Sequence, residues 1–201
     1  FLFVAQNGYF NFNFLTEIPQ DRPNRLEGYL FPDTYQIPVN PNPGDIITRM
    51  LHNFDQKFTF DLQMRAEELN LSTDDVIIMA SIIERETRLA SERALVSQVI
   101  HRRLARNMSL DMDSTVKYAM DDPPLRLLYV HLDIESPYNT YRNRGLPIGP
   151  IANPGLAAIE AALHPADTDY LFFVLRDEET GEHIFTRSLE EHNAARASIG
   201  M

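Results

Sequence analysis

"ASIIERETRLASER", residues 80–93, runs an apolar segment into two glutamates with an arginine between them. Laid on a helix at about 100° per residue, Val76, Met79, Ile82, Ile83 and Ala90 share one side. Glu84 and Arg88 share the other, at the i,i+4 spacing of a solvent-exposed ion pair. Glu86 joins neither set. It projects into the apolar stripe, with Ile82 and Ile83 a turn before it and Leu89 and Ala90 a turn after. A carboxylate there is unfavourable unless a cation pairs with it or it takes up a proton. The spacing leaves two readings open: a structural acid satisfied by a buried arginine, or a functional acid.

Helical signals surround this stretch. Ser72 or Thr73 is placed to cap its helix, with Asp74 and Asp75 in the first turn, where the helix dipole favours negative charge. Upstream, "PGDIITRMLHNFDQKF" spaces Ile46, Ile47, Met50, Leu51, Phe54 and Phe58 as one helical face, and "DLQMRAEEL" predicts a shorter helix. Downstream, Ser91 is a candidate cap for "ERALVSQVIHRRLARN", "MSLDMDS" reads as a short strand or extended loop, and Ser114 is a candidate cap for a short helix through "TVKYAM".

Residues 121–154 read as loop, and Asn153 followed by Pro154 predicts the start of a helix over "GLAAIEAALHP". "YLFFVLRD", a turn at "EETGE" and "HIFTRS" form a hairpin, and Ser188 with Glu191 makes a capping box for a last helix. Four prolines within residues 32–43 argue for extended segments and turns there. The fold class is therefore α+β: mostly helical, with a small antiparallel sheet.

Composition narrows the function classes. With 201 residues the chain can bury a substantial core. A balance of 18 basic against 29 acidic residues, net −11, argues against nucleic acid or an anionic lipid surface as the main partner. "HRRLAR" reads as a helix with its arginines on the wet face. There is no cysteine, which excludes thiol catalysis and disulfides. No apolar run approaches the ~20 residues that span a bilayer, and the opening "FLFVAQNGYFNFNF" reads as the interior of a longer chain.

The six histidines are scattered singly, without H-E-x-x-H, so no metal or other cofactor is expected. Asp111 and Asp113 share a face of a presumed extended segment, and a solvated pair is the simpler account of them. There is no phosphate-binding glycine loop and no G-x-S-x-G elbow. What remains is Glu86 beside a polar aromatic loop, "YNTYRNRG", whose flat faces and directional hydrogen-bonding groups suit sugar rings and amides.

Taken together, "LEGYLFPDTY" (26–35), "ASIIERET" (80–87), "ASER" (90–93), "STVKYAM" (114–120), "SPYNTY" (136–141), "GLPIGPIANPG" (145–155) and "AALHPADTDYLFFV" (161–174) resemble the endolytic murein transglycosylases of the YceG-like family. The resemblance implies a lyase that cuts peptidoglycan glycan strands between N-acetylmuramic acid and N-acetylglucosamine and leaves a 1,6-anhydro end. It implies that Glu86, the second glutamate of "E-x-E-T", is the catalytic acid and then base. The helix projection had singled out the same residue on physical grounds.

Tyr138, Asn139, Thr140 and Tyr141, with Ser114 and Thr115, are the candidate sugar-binding residues. Glu84 and Glu92 are read as supporting groups, and Glu27 as part of an aromatic packing block. The family pattern further implies that residues 1–25 are the tail of an N-terminal LysM-like module or a linker, and that 26–201 are the catalytic domain. Cell-wall synthases are implied as candidate partners. A membrane anchor outside this stretch would hold the protein at the extracytoplasmic face of the bacterial membrane. Two alternatives stand beside the lyase: a two-carboxylate glycan hydrolase using Glu86 with Asp111 or Asp113, and a glycan-binding or scaffold module without catalysis.

Overall fold

A computed structural model describes residues 1–200. Eight α-helices and one hairpin follow in the order α1 (Leu2–Asn7), α2 (Pro43–Lys57), α3 (Phe60–Glu68), α4 (Thr73–Glu86), α5 (Arg93–Ala105), α6 (Asp113–Tyr118), α7 (Leu156–Leu163), β1 (Phe172–Leu175), β2 (His183–Thr186) and α8 (Leu189–Ser198). The α+β class is as the sequence predicts. The hairpin is a two-stranded antiparallel sheet in which Phe172 pairs with Thr186 and Leu175 with His183.

α4 is the central helix. Ser72 caps it in a capping box with Asp75, and every residue from Val76 to Ile83 is buried. A helix apolar on all sides has no wet face, and α4 is enclosed chiefly by α7 and α5. The projection of an exposed Glu84–Arg88 pair does not hold, because the helix ends at Glu86. Thr87 is extended (φ −134°, ψ 137°), and its hydroxyl accepts from Leu89 N–H at 3.2 Å, a local bond that competes with another helical turn. Arg88 therefore leaves the helix face and donates to the carbonyl of Glu178, while Glu84 accepts from Gly155 N–H at the start of α7.

An aromatic cluster closes one end of the core: Phe14, Tyr29, Phe54 and Phe58 pack with ring centroids 4.7–5.6 Å apart. Phe14, Leu15 and Ile18 are buried in the same core as α2 and α4. Buried Arg22 forms an ion pair with Asp74 in the first turn of α4, and Tyr29 Oη donates to the same carboxylate at 2.7 Å.

Several local expectations change. Asn153 does not cap α7, whose N-cap position is Gly155. Its side-chain oxygen instead accepts from Gly28 N–H (2.8 Å) and Leu30 N–H (3.1 Å), joining the 26–35 and 145–155 blocks. Gly28 adopts φ +92°, and a Cβ there would stand 2.5 Å from Pro150. Ser91 lies in a 3₁₀ turn (Ala90–Glu92) and caps nothing. Met112 holds the N-cap position of α6, so Ser114 falls inside its first turn. "MSLDMDS" up to α6 is irregular rather than a strand.

Arg103 of "HRRLAR" is not on a wet face. It is buried and donates to the carbonyls of Leu171, Ser109 and Leu110 and to Asp111, stitching α5 to the segments before α6 and β1. At the C-terminal helix, Ser188 accepts from Glu191 N–H, while the Glu191 carboxylate turns to Arg187 N–H.

Candidate active site

Glu86 is the last residue of α4, at the point where the buried central helix opens toward the surface. Glu86 is half-buried as a residue, and protein surrounds its carboxyl closely enough that burial raises its pKa above the ordinary carboxylate value. The negative charge of nearby Asp113 pushes in the same direction. Hydrogen bonding from Ser114 opposes both, with the Ser114 N–H 3.3 Å from Oε1, and the nearby imidazole of His183 opposes them more weakly. No Arg or Lys pairs with Glu86 among the described residues. The buried-arginine reading left open by the sequence is thus not what the described residues show, and burial favours the protonated form of Glu86.

Across from it, α6 and the loop 136–144 meet through a closed set of hydrogen bonds. Met112 N–H donates to Thr140 Oγ1 (3.0 Å), the two threonine hydroxyls of Thr140 and Thr115 lie 2.9 Å apart, and Thr115 donates to the Met112 carbonyl (2.7 Å). A hydroxyl has one proton, and Thr115 gives its proton to the carbonyl. Thr140 must therefore be the donor between the two hydroxyls. Both backbone groups of Met112 are satisfied by this ring. Asn139 is likewise buried, donating to the carbonyls of Leu132 and Ile134 and accepting from Tyr141 N–H.

The six candidate sugar-binding residues therefore divide. Thr115, Asn139 and Thr140 are buried and their polar atoms are committed to the chain. Tyr141 and Ser114 border Glu86: Tyr141 is partly exposed and donates its hydroxyl to Asp113 at 2.7 Å, and burial with that contact raises its pKa. Tyr138 stands apart, packed on Tyr118 with centroids 4.8 Å apart, its hydroxyl pushed up to about 12 by burial. Beside this pair Glu27 is raised by burial too, its nearest polar contact being Asn153 Nδ2 at 3.5 Å.

Asp111 and Asp113, expected on one face, are separated in role. Asp111 takes a left-handed backbone (φ 52°) and pairs with Arg103, while Asp113 turns to Tyr141. Two surface concavities, one lined by Tyr35, Ile37, Pro38 and Arg49 and the other by Gln20, Arg22 and Arg25, share none of Glu86's neighbours, so chemistry rather than depth locates the site. No group of three or more metal-ligating side chains occurs among the described residues.

Sequence reasoning did not find the partnership of Glu92 with His183, which lies behind Glu86. Glu92 accepts from the His183 backbone N–H (2.9 Å) and ring Nδ1 (2.7 Å). The two are 91 positions apart, and no local pattern announces such a pair.

Fold and site together define a helical α+β domain that presents a single uncompensated carboxyl from the end of its central helix. The sequence pattern of the YceG-like family matches residues 5–198, and the chain belongs to that family. It is 43% identical over 175 residues to an endolytic murein transglycosylase of Bacillus subtilis, covering 85% of this chain and 47% of that protein. A protein of the same name from Streptococcus pneumoniae is 32% identical over 174 residues, covering 84% of this chain and 31% of the other. A crystal structure of a YceG-like protein from Listeria monocytogenes superposes with a TM-score of 0.80 at 36% identity, over 90% of this chain and 58% of that one. The chain thus spans less than half the length of the two curated relatives.

Proposed function

We propose that this domain is the catalytic part of a lytic transglycosylase that cleaves peptidoglycan glycan strands internally. The observation that carries the reading is Glu86, a carboxyl without a cationic partner whose pKa burial raises. The name shared by the relatives supplies the substrate class.

A single acid suffices for this reaction. Protonated Glu86 gives its proton to the leaving glycosidic oxygen as the bond from C1 of the muramic residue breaks. The C6 hydroxyl of the same sugar then bonds to C1 and returns its proton to the carboxylate, so no water is consumed and the acid is regenerated. An acid with a raised pKa is matched to both halves of the cycle. Ser114 N–H stabilises the carboxylate between them. In this reading Tyr141 and Ser114 face the sugars, while Asn139, Thr140 and Thr115 hold the loop that presents them. Tyr138, buried against Tyr118, packs this loop onto the core and has no surface for the strand. The protein acts on the extracytoplasmic side of the membrane, anchored through a segment outside this stretch and working alongside cell-wall synthases.

Asp113 supports a second reading, since its charge reaches Glu86 and it could serve as the partner carboxylate of a hydrolase. Mass spectrometry of strands treated with the parent and with Glu86→Gln separates the two. Anhydro ends, one water lighter than hydrolysis products and lost in the variant, are expected. Reducing ends would favour the hydrolase, and undiminished cleavage by Glu86→Gln would overturn both.

A further inference from the structure

Behind Glu86 lies a second carboxylate that the reaction above does not use. Glu92 is 6% exposed, and no lysine or arginine neutralises it among the described residues. Its Oε1 accepts from His183 N–H at 2.9 Å, and its Oε2 takes His183 Nδ1 at 2.7 Å with Thr87 Oγ1 at 3.4 Å. Such a short contact between a carboxylate and a ring nitrogen requires the proton to be on Nδ1, which fixes tautomer and ring orientation. The imidazole is held further by an edge-on contact with Phe173, centroids 5.5 Å apart. The opposite nitrogen, Nε2, makes no hydrogen bond among the described residues and is not fully buried.

Thr87 is the other end of the clamp. It directly follows Glu86, is 4% exposed, and turns the chain out of the helix. Its single hydroxyl proton is shared between the carbonyl of Leu89 (3.3 Å) and Glu92, while the oxygen accepts from Leu89 N–H. The C-cap of α4 thereby lies against the same buried carboxylate that holds β2, through a contact longer than an ordinary hydroxyl hydrogen bond. Helix ends fray unless their terminal groups are satisfied, and a misplacement of about 1 Å at a reacting group is enough to cost ~100-fold in rate.

We propose that Glu92 and His183 are positioning residues of the active site: the pair locks Thr87, and through it the Glu86 carboxyl, in the orientation that delivers the proton. The proposal rests on Glu86 being the catalytic acid. It assigns no contact with substrate to Glu92, and it leaves strand binding to the α6 side of the site.

The test compares glycan-strand kinetics of the full-length protein with its Glu92→Gln, His183→Leu and His183→Asn variants, alongside Glu86→Gln. Glu92→Gln and His183→Leu are expected to lower kcat by about 10- to 100-fold with KM within about twofold, the pattern of a lost transition-state alignment. His183→Asn, whose amide can donate to Glu92 in place of Nδ1, is expected to recover most of the loss. Where the leucine variant does not fold, the near-isosteric Gln and Asn variants carry the comparison. A proton-detected nitrogen spectrum of the unsubstituted protein should also show His183 protonated at Nδ1. Parent-like kcat in Glu92→Gln, a loss confined to KM, or a His183 ring without a proton on Nδ1 would overturn the proposal. A fully active Glu86→Gln would instead overturn the functional reading on which it rests.

Discussion

Replacing Thr140 by valine tests whether the loop across from Glu86 binds sugar through this residue or is built by it. Valine keeps the shape and removes one hydroxyl. The hydrogen-bond ring then opens: Met112 N–H loses its acceptor at 3.0 Å and Thr115 Oγ1 loses its donor, while the bond from Thr115 to the Met112 carbonyl remains. Thr140 is 1% exposed, so water does not readily replace the missing partner. A buried donor left unpaired costs about 1–3 kcal/mol. For a domain of this size that lowers Tm by about 2–12 °C, at ~2–4 °C per kcal/mol. Urea unfolding with an unchanged m-value is the assay. The double variant with Thr115→Val should lose less than the sum of the single losses, because both changes break one ring. KM for glycan strands should move little at temperatures where the variant is folded. A stability change under about 0.5 kcal/mol, the usual range for surface substitutions, together with a raised KM, would refute the argument and return Thr140 to direct sugar binding.

Glu86→Gln should stabilise the protein as pH rises. The folded state raises this carboxyl's pKa, so between the unfolded value of ~4.3 and the folded one the native state binds more protons than the unfolded state, and wild-type stability falls with pH. The Tm difference in favour of glutamine should therefore be smallest below about pH 4 and grow as the pH passes the folded pKa; a pH-independent difference would contradict the assignment. Gly28→Ala combines a left-handed φ of +92° with a Cβ 2.5 Å from Pro150. Strain and overpacking together predict a loss of about 2–5 kcal/mol, read as a lowered urea midpoint, and a near-normal midpoint would show that the 145–155 loop yields.

Much of the frame was legible because its signals are local. The capping box at Ser72, the helical spacing of Ile47, Leu51 and Phe54, and the hairpin around 170–188 each rest on residues a few positions apart. Glu86 was legible for the same reason: an acid inside an apolar run is a local anomaly. What escaped were side chains whose partners are remote in sequence. Asn153 carries the signature of a helix cap, yet Gly28, 125 positions away, takes its oxygen. Arg103 looked like a surface cation on an arginine-rich helix, but carbonyls from two other segments enclose it. The Glu84–Arg88 pair failed for a smaller reason, because the Thr87 side chain bonds to Leu89 and ends the helix between them.

The apolar run and the acid at its end are one device. An unpaired carboxyl close to the core destabilises whatever carries it, and an amphipathic surface helix has little margin to hold one still. α4 has that margin. Val76, Ile77, Ile78, Met79, Ile82 and Ile83 are each at most 4% exposed. At about 1.5–3 kcal/mol per buried side chain the six contribute roughly 9–18 kcal/mol, an upper estimate because the unfolded chain already buries part of that surface. Their packing fixes the axis along which Glu86 is presented, Ser81 holds the 145–155 loop to the same helix through Ile151 N–H, and Glu84 ties it to the start of α7. A helix anchored in this way can end on a carboxyl that has a hydrogen bond from Ser114 N–H but no cation, and an acid held in place without a counter-charge suits proton transfer to a glycosidic oxygen in the proposed reaction.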